Sequence, residues 1–431
     1  MKDGSRTRIG IALFMLSGAT AAWAQSAEHV SLHDAEQRAV ENHPQVRAAD
    51  YNARAAREAT REARSTYFPS VSASLTGTEA ESGSRIAAGG LNNPIILDRF
   101  AYGVSFAQMV TDFGRTSALV RSVDLKSDAQ REVLTTRRAD VLLQVNRAYF
   151  SSLRAQAVAK VAEETVKARQ VVVDQVTAQA ASGLKSGLDV SFAQVNLSQA
   201  QILLVQARND LDAAFLSLSA AMGSSESTAY DLVDEPLPPE PSSDGATLVG
   251  QALHDRPDVS AQRLSQQAAL KFADAQSSLW LPTVSVVGAF GAAPYRQIGL
   301  NSHYSALGLN LSLPVTTGGF IAARRAQASL GASSEEQRLH DLENAVSRDV
   351  RTALLDVQAA YRRLDLARQL QAHATDALDL AQTRYDNGLG SIVELTQAQL
   401  NKTQADIESA TARYECQIRA AVLKYQTGAL K

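Results

Sequence analysis

The chain has 431 residues, 45% of them hydrophobic and 20% charged, a balance ordinary for a folded protein and ample for a core. A net charge of -3 and a pI near 6.2 exclude a basic nucleic-acid binder. The single cysteine, Cys416, excludes a disulfide framework, so stability must come from packing and oligomerisation.

The N-terminus reads as a secretory signal over residues 1–24. Lys2, Arg6 and Arg8 precede an apolar run from Ile9 to Leu16, and Ala22-Trp23-Ala24 forms a small-x-small cleavage site. The mature chain is expected to start at Gln25. The run is shorter than the ~20 residues a spanning helix needs, and no cysteine follows the site to carry a lipid. Ser31 and Asp34 then resemble a capping box opening a helix. Pro44 ends it, and a second helix is expected from about Gln45 to Ser65.

Two alternating segments follow. Over residues 70–78, Val71, Ala73 and Leu75 oppose Ser70, Ser72, Ser74 and Thr76. Over 100–110, Phe100, Tyr102, Val104 and Phe106 oppose Ala101, Gly103, Ser105 and Ala107. The intervening loop Glu79–Arg99 is rich in Gly and Asn. A long helix is expected from about Arg115 to Ala181, which at ~1.5 Å per residue approaches ~100 Å. Its seam reads Val141, Val145, Ala148, Ser152, Ala155, Ala159, Ala162, Val166, Arg169, Val173, Val176 and Ala180. Gly183-Leu184-Lys185-Ser186-Gly187 is a tight turn into a return helix carrying Leu188, Val195, Ile202 and Leu216. Residues 234–245, with Pro236, Pro238, Pro239 and Pro241, form an extended surface linker.

The order then repeats. Pro44 returns as Pro257, Val46 as Val259, Pro69 as Pro282 and Ser72 as Ser285 at one constant offset. Gly114 returns as Gly319, Val145 as Val350, Gly183 as Gly388 and Ser186 as Ser391 at a second. A period of about 200 residues is too long for a solenoid repeat of ~20–50. It marks a duplicated half-protein, residues 25–233 and 246–431. The second copy's strands are expected near 282–290 and 305–313, where Val284 and Val286, then Leu307, Leu309, Leu311 and Leu313, alternate with small polar residues. Its long helix steps strictly by fours and threes: Val346, Val350, Ala353, Val357, Ala360, Leu364, Ala367, Gln371, Ala374, Leu378, Ala381 and Tyr385. That is a coiled-coil seam. The second tip is Gly388-Leu389-Gly390-Ser391, and its return helix carries Val393, Leu400, Ile407, Tyr414 and Ala421.

Past the signal, no apolar run reaches ~18 residues, so a membrane position requires a β-barrel. The four alternating segments, flanked by Tyr67, Phe68, Trp280 and Tyr295, fit transmembrane strands; a soluble sheet with one buried face has the same period. Four strands cannot close a barrel, so they must be shared between copies. The fold class expected is mainly α with β: a long antiparallel coiled-coil helical barrel, plus a transmembrane β-barrel shared between protomers, four strands from each chain, in two internal structural repeats.

Chemistry-bearing clusters are absent from the sequence pattern. His29 and His33 sit four apart without a further ligand. Arg54, Arg57, Arg61 and Arg64 interleave with Glu58 and Glu62 as a salt-bridged helix face. Gly388-Leu389-Gly390 joins two helices and follows no strand, so it is no nucleotide loop. No nucleophile constellation is present, and neither an enzyme, a metal nor a cofactor is expected. Asp189 and Glu394 sit just past the two tips, where each is either a helix N-terminal charge or a functional acid.

The ordered motifs Asn42-His43-Pro44-Gln45-Val46, Tyr67-Phe68-Pro69, Asp112-Phe113-Gly114, Arg256-Pro257-Asp258-Val259, Trp280-Leu281-Pro282, Thr317-Gly318-Gly319, Arg384-Tyr385-Asp386-Asn387-Gly388 and Glu394-Leu395-Thr396-Gln397-Ala398-Gln399 make the chain resemble the TolC-like outer-membrane factor family over nearly its whole mature length. The resemblance implies a homotrimer in outer-membrane lipid, with a roughly 12-stranded barrel continuing as a helical conduit into the periplasm. It implies an exit duct for efflux or type I secretion. The implied partners are a periplasmic adaptor (membrane fusion) protein and an inner-membrane transporter of RND, MFS or ABC type. It makes Gly183, Leu184, Lys185, Ser186, Gly388, Leu389, Gly390 and Ser391 the adaptor-facing tips. Glu394 matches a pore-lining acid of the family, Asp189 is its counterpart in the first copy, and Gln397 stands where a second acid can occur. The competing reading is a periplasmic coiled-coil adaptor or scaffold without a pore.

Overall fold

The computed structural model describes residues 28–79, 81, 98–225, 229–241, 244–296 and 301–430. The signal segment 1–24 and most of the loop 79–99 lie outside them.

A short strand β1 (Glu28–Val30) leads into α1 (Leu32–Asn42). The capping box forms: Ser31 Oγ accepts from the Asp34 amide at 3.2 Å, and Asp34 Oδ2 accepts from the Ser31 amide at 3.1 Å. Pro44 ends α1 and is itself the first residue of α2 (Pro44–Ser65), where its missing N–H costs nothing. The basic stripe on α2 is salt-bridged: Arg54 reaches Asp50 at 2.9 Å and Arg61 reaches Glu58 at 2.9 Å.

Strands β2 (Ser70–Thr78) and β3 (Arg99–Thr111) precede α3 (Arg115–Ala181) and α4 (Gly187–Ala221). β4 (Tyr230–Leu232) pairs in parallel with β1, a small sheet the sequence pattern did not announce. Each of its strands has three residues, too few to show a period. Tyr149 holds the linker to it, its hydroxyl 2.7 Å from the Val233 carbonyl and 3.1 Å from that of Val30.

The linker then lies along the long helix and the return helix of the second half. Arg413 pairs with Asp234 at 2.6 Å, Gln417 donates to the Glu235 carbonyl at 2.7 Å, and Tyr361 donates to the Pro238 carbonyl. Asp244 caps α5 (Gly245–Asp255), followed by α6 (Pro257–Ser277). β5 (Thr283–Arg296) and β6 (His303–Ser312) lead to α7 (Phe320–Asp386) and α8 (Ile392–Gln426). The duplication is visible in the lengths. α3 and α7 each span 67 residues, and α4 and α8 each span 35.

β5 is longer than the expected 282–290. Pro294 masks the extension, because proline breaks an alternating pattern. It is tolerated at a bulge: Phe100 pairs with Tyr295 and Tyr102 with Ala292, so two residues of β5 face Ala101 alone. The antiparallel sheet runs β2-β3-β5-β6, and the β3–β5 pair joins the two halves. Registers Val71–Phe106, Leu75–Tyr102, Val104–Phe290 and Val286–Leu309 gather the apolar positions on one face.

Nearly all seam residues of α7 are buried, with only Gln371 and Leu378 half-buried. The seam of α3 is buried or half-buried throughout, Arg169 included. The return helices follow the sequence reading only in part, since of the rows it named Tyr414 and Ala421 are buried and most of the others are exposed. α4 buries Ala193, Asn196, Ala200 and Ala207, while Leu188, Val195, Ile202 and Leu216 are exposed. α8 buries Ile392, Leu395, Ala398, Ala405, Ala412 and Cys416, and leaves Val393 and Leu400 exposed. Each return helix carries two rows spaced by sevens. Along α4 and the first half of α8 the alanine row wins the contact with the long helix because small side chains let the backbones approach, and the bulkier row faces outward; further along α8 that row turns inward, with Ile407 half-buried and Tyr414 and Ala421 buried. The largest core cluster gathers Val30, Val145, Tyr149, Leu218 and Tyr230 where α1, α3, α4 and the small sheet meet.

Candidate functional site

Both hairpin tips end their long helix in the same way. Gly183 (φ 76) and Gly388 (φ 72) adopt the left-handed conformation that suits glycine. The amides of Leu184 and Leu389 donate back to the carbonyls of Gln179 (2.9 Å) and Arg384 (2.8 Å), and those of Gly183 and Gly388 donate to Ala180 (3.0 Å) and Tyr385 (3.1 Å). This is the Schellman arrangement, in which the leucine normally packs back against the helix. Here the residues it would cover are Gln179 and Arg384, and the leucines point to solvent, Leu184 75% and Leu389 72% exposed.

The two acids are held differently. Asp189 closes a capping box, its Oδ2 accepting from the Ser186 amide at 3.0 Å and from its hydroxyl at 2.9 Å. Ser391 caps α8 by accepting from the Glu394 amide at 3.2 Å, but the Glu394 carboxylate turns away to Arg384, with Nε and Oε1 3.1 Å apart. Arg384 also donates to the Leu389 carbonyl at 3.2 Å, bracing the turn. The difference is written in the repeat, because the first copy has Gln179 where the second has Arg384. Gln397 is exposed and donates to Asn401 at 2.9 Å.

The tips of one chain touch each other. Lys185 Nζ sits 3.8 Å above the Tyr385 ring, Asn196 donates to Thr396 at 2.9 Å, and Gln175 donates to Asp386 at 3.2 Å. Beneath them Val176, Ala381, Tyr385, Ile392 and Leu395 form a small core. The Tyr385 hydroxyl is buried without a hydrogen-bond partner among the described residues. Burial first, then the charges of Asp189 and Asp386, raise its pKa above the ordinary phenolic value.

Sequence reasoning named Asp189, Glu394 and the turn residues but did not pair Arg384 with Glu394 or Lys185 with Tyr385. The first contact spans ten residues across a turn and the second joins different hairpins, so no periodic spacing signals either. His29, from the histidine pair, sits on β1 with Nδ1 3.2 Å from Asp231 Oδ2.

At the other end the sheet exposes its apolar face. Val71, Leu75, Phe290, Leu309 and Leu311 all stand open, and Leu307 is 76% exposed. At roughly 1.5–3 kcal/mol per buried aliphatic or aromatic side chain, such a face calls for an apolar surrounding. The strands, of 9 to 14 residues, are long enough to cross hydrocarbon. Tyr67, Phe68 and Trp280 stand where β2 and β5 begin and Tyr295 near the far end of β5, as aromatic girdles do. Among the described residues no helix is long and apolar enough to cross a membrane.

The profile of the outer membrane efflux protein family matches residues 35–224 and again 248–429. The chain belongs to that family. It is an outer-membrane exit duct for efflux that extends into the periplasm. The duct is 24% identical to the outer membrane protein TolC of Salmonella enteritidis, covering 90% of this chain and 80% of that protein. It is 26% identical to the protein CyaE of Bordetella pertussis, covering 84% and 76%. A membrane protein of known crystal structure from Pseudomonas aeruginosa shares the fold with a TM-score of 0.80 at 21% identity, covering 92% of the duct and 93% of that chain. Family membership and the exposed apolar sheet together set aside the pore-less adaptor or scaffold.

Proposed function

We propose that the duct works as a homotrimer, a passive conduit whose periplasmic tips dock an adaptor protein serving an inner-membrane transporter. The carrying observation is an unanswered symmetry. Within one chain α3 packs against α8, with Val161, Thr165 and Gln175 of α3 along the shared groove. Their counterparts on α7 are Leu366, Leu370 and Leu380, and all three are exposed. The fold therefore repeats a helix surface for which one chain supplies only one partner, and the α4 of a second chain is the matching one. The sheet makes the same demand, since among the described residues β2 and β6 each have an unpaired edge. Three copies give a closed barrel of about twelve strands.

The halves, residues 25–233 and 246–431 joined by 234–245, act as pseudo-equivalent staves. Their tips alternate around the periplasmic mouth, presenting Leu184 with Lys185 and Ser186, then Leu389 with Gly390 and Ser391. Exposed leucines on hydrogen-bonded turns suit an apolar adaptor contact. Passive conduction needs no catalytic residue. Glu394 of each chain contributes to an acidic ring whose charge is offset by Arg384, while Asp189 serves mainly its helix cap and Gln397 adds no charge. The relatives named TolC and CyaE leave the transporter type open among RND, MFS and ABC. Purified duct in a planar bilayer, with its native mass measured in parallel, tests the reading. Trimer mass with discrete conductance steps is expected; a monomer without channels overturns it.

A further inference from the structure

One charged side chain in the conduit is buried for no reason the fold supplies. Arg169 occupies a seam position of α3 and is 5% exposed. It has no hydrogen-bond or ion-pair partner among the described residues. Coiled-coil seams are apolar, so a cation at this position, most of its side chain out of water and its guanidinium left facing a groove, is disfavoured there. The second copy shows that the fold does not need it. The equivalent residue is Ala374, buried in an intact α7–α8 seam. Burial alone pushes the pKa of the Arg169 guanidinium down, to about 10.

Arg169 lies on the wall of a groove of about 490 Å³ between α3, the end of α7, and α8. Val161, Val172 and Leu378 supply apolar surface along it, and Gln399 and Thr403 supply neutral polar groups. Of the carboxylates there, Asp406 is already engaged, by Lys402 at 2.5 Å and by Gln371 at 2.8 Å. Glu164 and Asp379 are exposed at the rim. A groove of this size with one unspent guanidinium and mixed apolar walls has the make-up of a small-molecule site.

We infer that the α3–α8 groove binds an amphiphilic monocarboxylate, with its carboxylate on Arg169 and its apolar body against Val161, Val172 and Leu378. The rim acids select against multiply charged anions, which would meet like charge on entry. Only the first half of each chain carries the arginine, so the expected stoichiometry is one ligand per chain.

The test uses full-length duct in lipid nanodiscs with 1-naphthoate as probe and naphthalene-1-methanol as its neutral analogue, read by equilibrium dialysis beside thermal unfolding. Saturable naphthoate binding is expected, weakened at least about tenfold by Arg169→Met and by removing the probe's charge. Arg169→Met and Arg169→Ala are expected to assemble and to melt no lower than the parent, since the second copy dispenses with the charge. Equal binding by parent and variant, or no saturable binding, overturns the proposal. Failure of both variants to assemble also overturns it, because Arg169 is then structural. None of these outcomes bears on channel conductance, which tests the conduit separately.

Discussion

At the scale of single residues, the duct's two tip acids show how one position in a duplicated chain acquires two roles. Asp189 and Glu394 are equivalent by repeat, and each follows a capping serine. Asp189 is short enough to close the box with Ser186, and its neighbour across the turn is the neutral Gln179. Glu394 finds Arg384 instead, a half-exposed pair whose direct stability contribution is small, on the order of 0–1 kcal/mol. Its proposed importance lies in the pore. In a trimer three uncompensated carboxylates attract cations and repel one another. Arg384→Gln is therefore expected to raise cation selectivity and deepen divalent block in single-channel recordings, while Glu394→Gln lowers both. If Arg384→Gln leaves the reversal potential unchanged, Glu394 does not face the pore.

The same contrast of rows and partners governs the elements. The long helices carry continuous seams, and α4 and the first half of α8 bury alanine while exposing the larger apolar row. The sequence showed both rows but could not rank them, because a spacing of seven describes each equally well. Packing decided between them: close approach to α3 and α7 favours small side chains, and the bulkier row is left for other surfaces. The tips follow a local rule that the sequence states more fully, since Gly183 and Gly388 meet the left-handed requirement and the serines cap the next helix. What the local rule leaves unexplained is the outward leucine. Replacing Leu184 and Leu389 together by serine is expected to leave the trimer's heat resistance unchanged and to abolish photo-crosslinking to the periplasmic adaptor. Retention of full crosslinking places the adaptor contact elsewhere.

At the scale of the molecule, the duplication sets the symmetry. The α3–α8 contact inside the chain predicts the α7–α4 contact between chains. The join of β3 to β5 inside the chain likewise predicts the join of β6 to β2 between chains. Leu366→Asp with Leu370→Asp places two charges on the proposed subunit boundary without touching the α7 seam. Native mass is expected to shift from trimer toward monomer, with helical circular dichroism retained. A trimer that persists unchanged moves the boundary away from α7.

Much of this architecture was legible from order and spacing alone. The capping box at Ser31, the paired prolines at 44 and 257, the alternating strands and the α7 seam each encode a local preference, and the repeat doubles every signal. Local periodicity determined the long helices and the core of each sheet strand, and which face of the sheet is apolar, but not the three-residue strands β1 and β4 or the extension of β5. It could not show contacts between elements far apart in the chain. The β1–β4 pairing, the Tyr149 anchor, the bulge at Pro294 and the Arg384–Glu394 and Lys185–Tyr385 contacts carry no period. The burial of Arg169 against the groove also emerged only when α3, α7 and α8 came together. An isolated helix leaves any side chain solvated; only a neighbouring helix can take the water away.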